Sequence, residues 1–70
     1  HYVDELIAKD VVAALDRTAD INVNTVDVQV SDGRVVLSGN VSSYNALKAA
    51  ENCARYTDGV IEVINNLQIT

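Results

Sequence analysis

The chain has 70 residues, 49% of them apolar, with no Phe, Trp, Met or Pro. That describes one small domain whose core is built from Val, Ala, Ile and Leu, with little room for a large deep cavity. Ten acidic against five basic residues give a formal charge of -5, the wrong sign for nonspecific nucleic-acid binding, which depends on Lys and Arg neutralising phosphates.

The same charge means that contact with anionic lipid needs a local basic patch. A single cysteine excludes an internal disulfide and is neutral about compartment. No apolar run approaches the roughly 18 residues of a membrane-crossing helix. The opening "HYVDEL" carries neither an initiator Met nor a signal peptide, so residues 1–70 are expected to be a single domain of a longer, possibly tandem-domain, protein.

From Val3 to Thr18, Val3, Ile7, Val11, Ala14 and Leu15 recur at helical spacing, with Leu6 at the margin. Glu5, Lys9 and Asp16 fall opposite, and Glu5 with Lys9 is a favourable i,i+4 pair. The spacing predicts an amphipathic helix with one buried stripe. "ADINVN" then breaks the period, with Asp20, Asn22 and Asn24 as turn-formers.

Val26, Val28 and Val30 alternate with Asp27, Gln29 and Ser31, as in a half-buried strand. Asp32-Gly33 supplies the positive backbone angles of a tight hairpin, and Val35, Leu37, Gly39 and Val41 continue the inward face on the return. Gly39 is the unusual one, because glycine at an inward strand position marks a close approach or a bulge. It is read here as the place where a helix packs tightly on the sheet.

Ser42 or Ser43 is placed to cap a second helix running through Thr57. Ala46, Leu47, Ala50, Cys53 and Ala54 form its apolar face, and Tyr44, Lys48, Glu51 and Arg55 the opposite stripe. Asp58-Gly59 is expected to end it, with Gly59 as the left-handed cap. Ile61, Val63, Leu67 and Ile69 then alternate inward, interrupted by Asn65.

The order is α-β-β-α-β. A right-handed strand–helix–strand crossover makes the last strand parallel to the second. The expected fold is α+β: a two-layer sandwich with a three-stranded mixed sheet and two helices on one face. Its open face should carry Asp27, Gln29, Arg34, Val36, Ser38, Glu62, Ile64 and Gln68.

This pattern resembles the BON domain, named for bacterial OsmY and nodulation proteins. The matching stretches are "IAKDVVAAL", "VDVQVSDGRVVLSGNVSS", an alanine-rich helix and "DGVIEVINNLQI". Specificity lies in a G-x-V-x-L-x-G run (Gly33, Val35, Leu37, Gly39) and a G-V-x-x-V-x-N run (Gly59, Val60, Val63, then Asn65 or Asn66). The resemblance implies a non-catalytic module of an envelope or osmotic-stress protein, associating with phospholipid headgroups or envelope proteins. It implies a periplasmic or envelope setting and leaves a cytoplasmic one open. No cofactor is implied, and the family's glycines map onto Gly33, Gly39 and Gly59, each of which has a turn, cap or packing explanation.

The remaining residues give chemistry little support. His1 is the only histidine and is terminal. Cys53 lies on an apolar helix face, where a thiol behaves as a small hydrophobe. Asp4, Glu5, Asp10, Asp16 and Asp20 are dispersed and read as surface charge. A KH-type nucleic-acid module is excluded because the G-x-x-G loop is missing.

Two surfaces remain. Tyr44, Lys48 and Arg55 form a lipid-facing candidate, since Tyr suits an interface and Lys and Arg reach toward phosphate; Glu51 in the same stripe argues for a solvated face. Val36 and Ile64, with Arg34 beside them, form a protein-docking candidate on the open sheet face, open also to self-association or a tandem BON partner. The competing reading is a structural or oligomerising module that uses this face inside a cytoplasmic multidomain protein.

Overall fold

The computed structural model describes residues 3–18 and 21–70. His1 and Asp20, considered above, lie outside them. The elements are α1 (Asp4–Asp16), a single 3-10 turn (Val23–Thr25), β1 (Val26–Ser31), β2 (Arg34–Val41), α2 (Tyr44–Arg55) and β3 (Glu62–Ile69). The α-β-β-α-β order is the one expected.

The sheet runs β1-β2-β3 with β2 central. β1 pairs antiparallel to β2, from Val26 opposite Gly39 to Ser31 opposite Arg34. β2 and β3 run parallel, with Val36 level with Ile64 and Val41 level with Ile69. Asp32 (φ 53°) and Gly33 (φ 81°) both occupy the left-handed region, the geometry of the tight two-residue hairpin that the Asp-Gly pair predicts.

The helices cover one face of the sheet. α1 packs over β1, α2 over β2 and β3, and the helices touch each other. The core joins Ile7, Val11 and Leu15 of α1 to Val35, Leu37 and Val41 of β2, Ala46, Ala50 and Ala54 of α2, and Leu67 of β3. Each large side chain removed from water here contributes about 1.5–3 kcal/mol before entropy is counted. The alanines bring the α2 backbone close to the sheet.

Four expectations need correction. Val3 does not join the buried stripe: it is the extended N-cap of α1 and half exposed. The close neighbour of Gly39 is not a helix. A Cβ there would stand 2.1 Å from the Thr25 carbonyl oxygen, and φ is +112°, so the crowding lies within the sheet, where β1 begins. α2 ends at Arg55 with Tyr56 as its cap. Gly59 (φ 92°) instead turns the chain between Thr57 and Val60, whose amide donates to the Thr57 carbonyl at 3.2 Å.

Finally, Ile61 (73% exposed) and Ile69 (50% exposed) alternate correctly yet are not buried. A 12-residue helix is about 18 Å long, whereas an 8-residue strand spans about 26 Å. The helix therefore covers the middle of β3 and leaves both ends bare.

Candidate functional site

The outer stripe of α2 begins just after Ser43, whose Oγ accepts from the Ala46 amide at 3.1 Å and so decides between the two candidate caps. Tyr44, Lys48 and Arg55 are exposed, as the helical period requires. The cations are not free. Arg55 Nη2 donates to Glu51 Oε2 at 2.9 Å, and Lys48 Nζ stands 3.8 Å from the same oxygen. Glu51 Oε1 accepts from Asn65 Nδ2 at 3.2 Å. Glu51 thus leaves the solvated role its stripe assigned it and ties α2 to β3.

Asn65, the interruption in the inward pattern, is explained by the same contacts. Its Oδ1 accepts from the Leu67 amide at 3.0 Å. The Thr70 amide donates inward to Val41 of β2, and amide direction alternates along a strand. The Leu67 amide therefore points off the free edge of β3, where the Asn65 side chain caps it, while the Leu67 side chain stays in the core.

The uncovered sheet face has the composition expected of it. Val36 and Ile64 stand side by side in parallel register; Val36 is half-buried and Ile64 is 40% exposed. Gln29 of β1 is level with both. Together with Ser31 and Arg34 they line a shallow depression of about 210 Å³. Arg34 Nε is 3.3 Å from Glu62 Oε1, and Gln29 donates to Asp27 at 3.1 Å. The apolar pair is therefore rimmed by polar groups already matched to one another.

Cys53 is half-buried at a groove between the helices that also exposes Asp10, Arg17 and Tyr56. Its Sγ lies 3.2 Å from Thr18 Oγ1, and that hydroxyl donates to the Ala14 carbonyl at 2.8 Å. The thiol lies between the Thr18 hydroxyl and the Ala14 carbonyl, 3.9 Å from the latter, an interhelix contact to neutral oxygens. Among the described residues no three His, Cys, Asp or Glu side chains gather where a metal could bind, and no helix is long and apolar enough to cross a membrane.

Asp4 is the residue sequence reasoning assigned least well. Its carboxylate is not idle surface charge: Oδ2 accepts from the Asp32 amide at 2.9 Å and Oδ1 from the Gly33 amide at 3.1 Å. It pins the start of α1 to the β1–β2 turn. Nothing local in the sequence signals that pairing.

A family model for the BON domain matches residues 3–70. The chain belongs to the BON domain family. The glycines and strand patterns that carried the resemblance occupy the hairpin, the Thr25 contact and the turn before β3. BON domains are non-catalytic and occur in periplasmic and envelope proteins. A comparison with curated proteins finds no match.

Proposed function

We propose that this BON domain is a binding module of an envelope protein, and that its docking face is the uncovered side of the sheet around Val36 and Ile64. The observation that carries this reading is their side-by-side register on a face no helix covers. A β-branched pair rimmed by internally matched polar groups offers apolar area without presenting unpaired charge to a partner. Arg34, held by Glu62 at the rim, serves orientation more than affinity.

A second reading concerns phospholipid headgroups at Tyr44, Lys48 and Arg55. Tyr44, 63% exposed one turn before Lys48, favours it, because an exposed amphipathic ring suits an interface. The shared engagement of both cations by Glu51 makes this contact weak in the resting domain.

The test compares capture from an envelope fraction by the wild-type domain, by Val36→Asp and by Lys48→Ala/Arg55→Ala. Partners lost only with Val36→Asp place docking on the sheet. Partners retained by Val36→Asp, with its fold verified by circular dichroism, refute that assignment.

A further inference from the structure

Three donors from two elements converge on the Glu51 carboxylate. Arg55 Nη2 and Lys48 Nζ approach Oε2 at 2.9 and 3.8 Å, and Asn65 Nδ2 reaches Oε1 at 3.2 Å. The Glu51 side chain is recessed at 19% exposure, whereas Lys48 and Arg55 project outward at 48% and 58%. An anion arriving from solvent meets the cations before it meets the carboxylate.

We propose that Glu51 is the internal occupant of an oxyanion site built from Lys48, Arg55 and Asn65, and that a bilayer bearing anionic phospholipid replaces it. The proposal rests on the α2 reading above and is independent of the sheet-face reading. A phosphodiester oxygen has the charge and acceptor geometry of the carboxylate it displaces, and Arg55 can meet two of its oxygens at once.

A planar array of headgroups suits the site better than an isolated phosphate, for two reasons. The donors lie on an exposed helix face with Tyr44 one turn away, and not in an enclosed cavity. A tethered carboxylate also competes at high effective concentration, which a single dissolved anion does not overcome but a surface of many does. Glu51 therefore acts as a latch, keeping a domain of net charge -5 off weakly charged membranes.

Cosedimentation with phosphatidylglycerol-containing and pure phosphatidylcholine vesicles tests the latch. Glu51→Gln removes the charge while keeping the side-chain shape and an acceptor for Asn65. It should bind the anionic vesicles about tenfold more tightly than wild type, from two cations released at a charged surface. The gain should fall with salt, be absent on phosphatidylcholine, and disappear when Lys48→Ala and Arg55→Ala are added.

Asp16→Asn makes the same change in net charge at an exposed site on α1 and should show no comparable gain. The latch is refuted if Glu51→Gln binds no better than wild type, if Asp16→Asn matches it, or if the gain survives without Lys48 and Arg55. None of these outcomes bears on capture through Val36, which its own variant reports.

Discussion

Asp4 and Gly33, 29 residues apart in sequence, are joined by a 3.1 Å hydrogen bond from the Gly33 amide to the Asp4 carboxylate. The other carboxylate oxygen takes the Asp32 amide. A tight turn leaves these two donors pointing out of the hairpin, and the first turn of α1 supplies the charge that satisfies them. The same carboxylate sits favourably at the positive end of the helix dipole. One side chain thereby ties the first turn of α1 to the hairpin, alongside the Ile7, Val11 and Leu15 packing that seats the helix on the sheet.

Replacing Asp4 with Ala should lower stability by about 1–2 kcal/mol, the loss of charge-assisted hydrogen bonds at a partly exposed site. Its neighbour Glu5 is exposed and makes no such contact among the described residues, so Glu5→Ala should stay within about 0.5 kcal/mol of wild type. Urea denaturation of the two variants decides the matter. Equal stabilities would mean that the Asp4 contact holds nothing.

Gly39→Ala should be the most damaging glycine substitution. The new Cβ would meet the Thr25 carbonyl at 2.1 Å in a backbone conformation disfavoured for an L side chain. β1 would have to move off β2 where the pairing begins, at a cost of about 3 kcal/mol or more, a large part of the total stability of so small a domain. Gly33→Ala meets its nearest atom at 3.0 Å with φ +81° and should cost about 1–2 kcal/mol. Thermal melts of both variants should preserve that order.

Asn65 caps an edge amide, and hydrogen exchange can see it directly. In Asn65→Ala the Leu67 amide loses its acceptor and should exchange markedly faster, while the Leu37 amide of the central strand keeps its protection. Unchanged exchange at Leu67 would show that its protection comes from elsewhere.

The parts of this fold that were legible in the sequence are those set by near neighbours. Alternating valines gave β1 and β2, Asp32-Gly33 gave the hairpin, and Ala46, Ala50 and Ala54 gave the buried face of α2. Even the Val36–Ile64 pair was accessible, because a parallel crossover restricts which residues can meet. What stayed hidden depends on where elements stop and on long-range polar pairing. The role of Asp4 requires knowing that α1 begins beside the hairpin. The Glu51–Asn65 contact requires the lateral position of α2 over β3. Ile61 follows the inward alternation faithfully, but α2 has ended at Arg55 and no longer covers it.

The most direct test of the docking assignment is paired capture from an envelope fraction by wild-type and Val36→Asp domains. A single charge at half-buried Val36 should leave the fold intact, lower the melting temperature by about 4–8 °C for each kcal/mol of lost packing, and abolish a specific protein association that Lys48→Ala/Arg55→Ala leaves intact. A folded Val36→Asp domain that retains every wild-type partner would contradict the account and remove the sheet face from consideration.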